Sequence, residues 1–320
     1  MTAERNRLNT ARVAGLWAVL AGIACAMAAG CGDREEAIEV SLRSGLQTPA
    51  PGARGEKLLV GIGAMISPAA SLETYGRLVK QLGKQVGKQG ATVLRSTYAE
   101  INDLLEERRI DCALVCTGAF VAGRRSFGMQ PIAVPVFQGS PTYRSFVIVR
   151  TDSDIRTFED LAGKRFAFVD PLSNTGRFYP ISRALDLGRR PDRFFVSTYT
   201  GSHDNSIRAV RTGIVTGAAV DGLIFDHLKQ DDPRAVAGLR VLERSPAYGA
   251  PPVVVHPAME RHARAELQKA LLHLGESAEG RTILANLGVD RFVAPEAGLY
   301  ESAEALEKRV RAFEVDRRER

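Results

Sequence analysis

The sequence predicts an α/β protein of two lobes joined by two chain crossings. Short apolar runs rich in β-branched residues alternate with helical patterns from Leu58 to Asp221, which is typical of parallel sheets flanked by helices. The runs form two sets, each long enough for a domain of its own, and a helical C-terminal part follows them. If this part returns to the first set, the chain crosses between the lobes twice, near 140–145 and 245–251. Two crossings form a hinge beside a cleft.

Each predicted strand is a short run of apolar or β-branched residues. The first set contains LLVGIG (58–63), ATVLRSTY (91–98), DCALVC (111–116) and PIAVPVF (131–137). The second set contains SFVIV (145–149), RFAFV (165–169), RFFVSTY (193–199) and GAAVD (217–221), and LRVLE (239–243) and PVVVH (252–256) precede the C-terminal helices. We therefore assign residues 58–144 and 246–320 to lobe 1 and residues 145–245 to lobe 2.

Residues 1–30 have the pattern of a lipoprotein signal peptide. Three arginines precede an uncharged, largely apolar run from Val13 to Gly30, and small residues stand directly before Cys31. Cys31 is then the acylated first residue of the mature chain. Residues 31–57, in which charges mix with Gly, Pro and Ser, predict a flexible tether. The alternative is a membrane-spanning anchor of similar length. We predict a periplasmic protein anchored to a membrane by lipid.

Composition and motifs argue against several function classes. The net charge is +6, but 43 basic residues are scattered among 37 acidic ones without a basic block, so we expect no nucleic-acid partner. The chain has no G-x-S-x-G or H-E-x-x-H motif and only five dispersed histidines, which argues against a hydrolase. Cys112 and Cys116 lie too far apart along one strand for a disulfide, so we predict two free thiols. We expect no cofactor, no metal and no enzymatic activity.

Polar residues directly after the predicted strands are the candidates for a ligand site. In open α/β sheets, ligands bind beyond the carboxyl ends of the strands. Hydroxyl residues and glycines at helix starts leave N–H groups uncovered and add O–H donors, which suits an anion. Taken singly, a Ser, Asn or Thr at a helix start is more simply a helix cap, and Tyr98 and Tyr143 are cleft-lining or core aromatic residues. His203 is then a structural histidine, Asp204 a cap and Asp221 a buried acid. The candidates are Ser67, Tyr98, Thr117, Gly118, Ser173, Asn174, Thr175, Gly176, His203, Asp204 and Asp221.

Three stretches in this order resemble one family. LAGKRFAFVDPLSNTG (161–176), YTGSHDNSIRAVRTGIVTGAAVD (199–221) and SPAYGAPPVVVHP (245–257) are similar to the phosphonate-, phosphite- and phosphate-binding proteins of ABC importers, the PhnD-like family. The resemblance spans about residues 58–300. It implies the two-lobed type II periplasmic-binding-protein fold, a small phosphorus oxyanion as ligand and an ABC permease as partner.

The resemblance also implies roles for single residues. The S-x-[ST]-G turn of the family falls on Ser173, Thr175 and Gly176, which would donate to the oxyanion. Its His-Asp pair falls on His203 and Asp204, and Asp221 would accept a proton from a hydroxyl or amine of the ligand. Tyr143 matches a hinge tyrosine.

The third strand departs from the pattern of the family. It ends in Cys116-Thr117-Gly118 without the aromatic residue of phosphonate binders, which argues against a ligand like 2-aminoethylphosphonate. Cys116 also gives the chain a likeness to AioX-like arsenite sensors, whose partner is a histidine kinase, because a thiolate suits trivalent arsenic. The alternative for Cys116 is a small buried apolar residue at the end of a strand.

Overall fold

The computed structural model describes residues 56–319, which contain two mixed sheets flanked by helices. The predicted signal peptide, Cys31 and the tether up to residue 55 lie outside the described residues. The strands are β1 (Lys57–Ile62), β2 (Gln89–Leu94), β3 (Cys112–Leu114), β4 (Gln130–Val136), β5 (Thr142–Tyr143), β6 (Ser145–Arg150), β7 (Arg165–Phe168), β8 (Val196–Tyr199), β9 (Gly217–Asp221), β10 (Leu239–Arg244), β11 (Tyr248–Gly249), β12 (Val253–Val255) and β13 (Arg291–Val293). The α-helices are α1 (Pro68–Gln85), α2 (Tyr98–Glu106), α3 (Thr117–Phe127), α4 (Tyr179–Asp186), α5 (Pro191–Phe194), α6 (His203–Arg211), α7 (Gly222–Asp231), α8 (Arg261–Leu272), α9 (Ala278–Asn286) and α10 (Glu301–Glu319).

The two sheets belong to different lobes. The first has the strand order β13-β4-β12-β3-β1-β2, and the second has the order β10-β6-β9-β7-β8. β1 is parallel to β2 and β3, and β7 is parallel to β8 and β9. Buried apolar residues fill both faces of β1, β3, β7 and β9, as the sequence predicts, whereas the edge strand β2 is mostly half-buried and the edge strand β8 is exposed.

The expectation of purely parallel sheets is wrong for the strands that follow the crossings. β6 runs antiparallel to β9, with Ser145 opposite Asp221, and β12 runs antiparallel to β3, with Val253 opposite Leu114. In each case the first residues of the incoming strand pair with the last residues of its neighbour. A chain that enters a lobe from the hinge starts at the edge where the parallel strands end, so it has to run in the opposite direction.

The two crossings lie side by side. Tyr143 of β5 pairs with Tyr248 of β11, and the Ser145 N–H donates to the Ser245 hydroxyl at 2.8 Å. These strands lie where the sequence predicts the crossings. We keep 144/145 and 245/246 as our proposed lobe limits.

Three predicted strands differ from the observed elements, and three short observed strands, β5, β11 and β13, were not predicted as strands. RFFVSTY splits, because Pro191 starts a short helix that ends at Phe194, and β8 covers only Val196–Tyr199. β2 ends at Leu94, and Thr97 caps α2 through a capping box. DCALVC forms a strand only over Cys112–Leu114. No apolar run or alternation marks the three-residue strand β13 in the sequence.

The C-terminal helix α10 contacts both lobes. Near its start, the Arg124 guanidinium of α3 donates to Glu304 at 3.0 Å. Further along, the Arg309 guanidinium donates to Ser182 of α4 at 3.0 Å, and Arg177 pairs with Glu314. α10 therefore joins lobe 1 to lobe 2 in addition to the hinge strands. Among residues 56–319, no helix has both the length and the apolar character needed to cross a bilayer.

Candidate functional site

Helix starts from both lobes meet at the edges where the parallel strands end. Lobe 1 contributes the starts of α1, α2 and α3, and lobe 2 contributes the turn after β7 and the starts of α6 and α7. Among the hydrogen bonds between the lobes, three use a backbone N–H group of Ser67, His203 or Tyr98, in or directly before the first turn of a helix. The donors and acceptors are Ser67 N–H to Asp204 Oδ1 (3.1 Å), His203 N–H to the Met65 carbonyl (3.0 Å) and Tyr98 N–H to Asp170 Oδ2 (3.1 Å).

Four buried polar atoms in this region have no hydrogen-bond partner among the described residues. They are the Tyr98 hydroxyl of lobe 1 and Asn174 Oδ1, the Thr175 hydroxyl and His203 Nε2 of lobe 2. All four side chains are at most 1% exposed. A buried polar atom without a partner costs about 1 to 3 kcal/mol, so four of them in one region indicate a place built for a polar ligand.

His203 is held as a neutral hydrogen-bond donor. Its Nδ1 accepts the backbone N–H of Asp221 at 3.0 Å, so the proton of the neutral ring has to be on Nε2, the atom without a partner. Burial lowers the pKa of His203 to about 3, against the opposing effect of the nearby Asp204. The ring is therefore neutral at physiological pH and presents an N–H group.

The SNTG turn is fixed in shape by its own hydrogen bonds. The Ser173 hydroxyl oxygen accepts the Gly176 N–H at 3.0 Å, which leaves the hydroxyl proton available to a ligand. The Ser145 hydroxyl, at the start of β6, donates to the Thr175 carbonyl at 2.8 Å. The turn opens as one π-helical turn, Asn174–Phe178, a form that is frequent at functional sites.

Glycine is required at two positions of the site. A Cβ on Gly176 would lie 2.4 Å from Cγ2 of Val169, within lobe 2. A Cβ on Gly118 would lie 2.2 Å from the Leu172 carbonyl oxygen, which belongs to the other lobe. Gly118 therefore permits the close approach of the two lobes.

Thr117 and Tyr143 are engaged with the protein itself. The Thr117 hydroxyl donates to the Gly249 carbonyl at 2.8 Å, so its proton is not available to a ligand. The Tyr143 hydroxyl accepts from Asn174 Nδ2 at 3.4 Å and also contacts the Thr117 side chain. Both residues connect the hinge to the helix starts, and the structure does not place Thr117 as a free donor.

Cys116 lies at the junction of the lobes. Its thiol is buried, and the backbone N–H groups of Gly118 and, from lobe 2, Asn174 lie close enough to lower its pKa against the larger effect of burial. Burial raises the pKa of the Cys116 thiol to about 11, so the thiol is protonated at neutral pH. Cys112 is also buried and free, as predicted.

Two acidic residues, Asp221 and Asp204, lie on the lobe 2 side of the site. Asp221 ends β9, and its Oδ1 accepts the Leu223 N–H at 2.8 Å. Burial raises the pKa of Asp221 to about 7. Asp204 accepts from the Ser202 hydroxyl at 2.5 Å as well as from Ser67. The alternative that Asp204 caps α6 is wrong, because Ser202 occupies the N-cap position.

Two residues of the site were not among the sequence candidates. Asp170 follows β7 as Asp221 follows β9, and its carboxylate also accepts the Leu172 N–H at 2.7 Å. Its position after a buried strand was a usable signal. Met65 acts through its backbone carbonyl, for which a sequence has no signal. Within residues 56–319, no group of three His, Cys, Asp or Glu side chains could hold a metal ion.

A family profile and two related sequences indicate one family. A family profile described as "ABC transporter, phosphonate, periplasmic substrate-binding protein" matches residues 60–300. The phosphate-import protein PhnD of Mycolicibacterium smegmatis is 31% identical over 151 residues, which is 44% of this chain and 47%, about half, of that protein. The phosphonates-binding periplasmic protein of Escherichia coli is 25% identical over 257 residues, 78% of this chain and 76% of the relative.

Two solved structures share the fold. A binding protein component of an ABC phosphonate transporter from Pseudomonas aeruginosa has a TM-score of 0.76 at 22% identity, covering 82% of this chain and 88% of that one. PhnD1 of Prochlorococcus marinus, solved in complex with methylphosphonate, has a TM-score of 0.73 at 18% identity, covering 80% and 98%. These similarities confirm the prediction of a two-lobed type II fold.

Proposed function

Because the chain belongs to the family of periplasmic substrate-binding proteins of ABC phosphonate transporters, we propose that it captures a phosphorus oxyanion between its lobes and delivers it to an ABC permease. Members of this family are binding components and not enzymes. The candidate ligands are phosphate, phosphite and phosphonate. We further propose that a lipid on Cys31 tethers the protein to a membrane, which mass spectrometry of the mature N-terminal peptide would test.

The observation that carries the proposal is the group of buried polar atoms without partners. Tyr98, Thr175 and His203 each offer a donor, and Ser173 offers a fourth through its hydroxyl proton. Asp170, Asp221, Cys116 and Tyr143 all lie close enough to the Tyr98 hydroxyl to raise its pKa, after the larger effect of burial. Tyr98 of lobe 1 is therefore close to the strand ends of lobe 2.

Four neutral donors are enough for useful affinity. A hydrogen bond to a charged group contributes about 1.5 to 3 kcal/mol, so four contribute about 6 to 12 kcal/mol. Micromolar binding needs about 8 kcal/mol. Helix N-termini facing the ligand add to this sum. No single turn suffices, so binding depends on both lobes.

Isothermal titration of the purified protein with phosphate, phosphite and methylphosphonate tests the proposal, with sulfate as a comparison ligand. Thr175→Val keeps the shape of the side chain and removes the hydroxyl, so we expect affinity to fall by about tenfold or more. Thr198→Val, at an exposed position of β8, is the matched control. Absence of binding of all three phosphorus ligands to the wild-type protein would refute the proposal.

An arsenite-sensing function is the second candidate, and the position of Cys116 is the observation in its favour. The Asn174 N–H of lobe 2 lies close enough to the Cys116 thiol to affect its pKa, so a ligand bound to the thiol would contact both lobes. The raised pKa of the thiol opposes formation of the thiolate that arsenic needs. Cys116→Ser separates the two functions: binding of a phosphorus oxyanion should persist, whereas arsenite binding, measured by the same titration, should be lost.

A further inference from the structure

A cavity of about 220 Å³ lies between the lobes beside Asp221. Its walls come from α1 and the strand ends of lobe 1 and from α7 of lobe 2. Most of the side chains that line it are apolar or aromatic. They include Ala70, Tyr75, Phe137, Leu223, Ile224 and Phe292. No part of the function proposed above uses this space.

The cavity begins where the polar cluster ends. Met65, Asp204 and Asp221 line it, and two of these residues hydrogen-bond directly to His203. The Met65 carbonyl accepts the His203 N–H, and the Asp221 N–H donates to His203 Nδ1. Asp221 also lies close to Tyr75 of the cavity wall, because its charge adds to the burial that raises the pKa of Tyr75 to about 12. Met65 and Asp221 therefore both contact His203 and line the cavity, so a ligand bound to His203 lies within one residue of this space.

We propose that this cavity holds the carbon substituent of the ligand, so that the preferred ligand is an organophosphonate with a bulky apolar substituent. The inference rests on the proposed function and narrows its ligand class. A dry apolar cavity of about 150 Å³ accommodates benzene, so the volume here suits a butyl or phenyl group. Inorganic phosphate and phosphite leave this apolar surface without a partner.

A series of ligands with growing substituents tests the inference on the wild-type protein. The series is inorganic phosphate, methylphosphonate, ethylphosphonate, butylphosphonate and phenylphosphonate, each titrated calorimetrically at pH 7. Burial of each added methylene group should strengthen binding about fourfold, so that butylphosphonate binds about 60-fold more tightly than methylphosphonate. Phenylphosphonate should also bind more tightly than methylphosphonate.

A substitution in the cavity wall locates the substituent. Ala70→Phe places a ring in the cavity, so the ratio of butylphosphonate affinity to methylphosphonate affinity should fall from about 60 to near 1. Leu72→Phe is the matched control, since Leu72 lies on the same helix and is 57% exposed. Leu72→Phe should keep the ratio of the wild-type protein. If Ala70→Phe fails to fold, the wild-type series alone decides.

The outcomes separate this inference from the proposed function. Equal affinity for methylphosphonate and butylphosphonate in the wild-type protein would refute the inference and leave phosphonate binding intact. An unchanged ratio in a folded Ala70→Phe variant would place the substituent elsewhere and also refute it. Failure of phosphate, phosphite and every phosphonate to bind would refute the proposed function and this inference with it.

Discussion

Replacing Asp221 by asparagine should stabilise the protein, relative to wild type, as the pH rises from about 4 to 7. Burial raises the pKa of Asp221 from 3.8 to about 7. The unfolded chain releases this proton near pH 4, whereas the folded protein keeps it until about pH 7. The folded state therefore binds more protons in this window, and wild type loses stability as the pH rises through it. Asparagine has no proton to release, and its Oδ1 can still accept the Leu223 N–H.

The size of the effect follows from the two pKa values. Each pH unit between them changes the free energy of unfolding by about 1.4 kcal/mol, which gives about 4 kcal/mol over the whole window. His203 acts in the opposite direction, because its pKa is lowered from 6.5 to about 3 and the unfolded chain takes up the proton first as the pH falls. Between pH 3.8 and 6.5 the contributions of the two residues cancel in wild type. In Asp221→Asn, only the contribution of His203 to the pH dependence of the unfolding free energy remains.

Urea unfolding at pH 4.5, 5.5, 6.5 and 7.5, followed by far-ultraviolet circular dichroism in phosphate-free buffer, measures this difference. The free energy of unfolding of Asp221→Asn minus that of wild type should grow by about 1.4 kcal/mol per pH unit up to pH 7. Asp103→Asn, at an exposed position of α2, gives the effect of the same substitution outside the site. A difference for Asp221→Asn that stays constant from pH 4.5 to 6.5 would refute the reasoning.

Three further predictions follow from the site and from the C-terminal helix. His203→Asn keeps an acceptor for the Asp221 N–H and removes the Nε2 donor, so calorimetry should show binding of the phosphorus ligand about 10- to 150-fold weaker. Gly118→Ala places a Cβ against the Leu172 carbonyl, so affinity should fall at least about tenfold while the urea midpoint changes little; equal affinity would contradict this interlobe contact. Glu314→Gln breaks the pair with Arg177, which should cost about 1 kcal/mol of unfolding free energy at low salt and less in 1 M NaCl.

Local patterns in the sequence were sufficient to predict most strands. Long buried strands such as β1, β6 and β9 lie within one residue of their predicted limits, because their apolar runs are bounded by polar residues or glycine. Strand direction could not be predicted in the same way, since the antiparallel pairing of β6 and β12 depends on where the chain enters each lobe. The three-residue strand β13 is too short for a period, and RFFVSTY mixes the apolar core residues of a short helix with an edge strand.

The sequence was sufficient to propose the residues of the candidate site, but not to predict the hydrogen-bond partner of each hydroxyl. A polar residue directly after an apolar run marks a strand end, and this rule selected Ser173, Thr175, His203 and Asp221. Which protons remain available depends on partners distant in the chain. The Thr117 hydroxyl donates a hydrogen bond to the Gly249 carbonyl, 132 residues further along the chain. The hydrogen bond that fixes the His203 tautomer comes from the Asp221 N–H, 18 residues away, and the residue types alone do not predict it.

The division of neutral donors between two lobes explains how occupancy could be coupled to closure. None of the thirteen candidate residues is a lysine or an arginine. A cationic site on one lobe would attract an anion whether or not the other lobe approached. Here the Tyr98 hydroxyl belongs to lobe 1, whereas Ser173, Thr175 and His203 belong to lobe 2, and only the closed arrangement presents all of them to one ligand. Under the proposed function, the differential affinity that shifts the hinge equilibrium comes from the contacts that only the closed state makes. Under the proposed function, closure is the signal that a permease can distinguish.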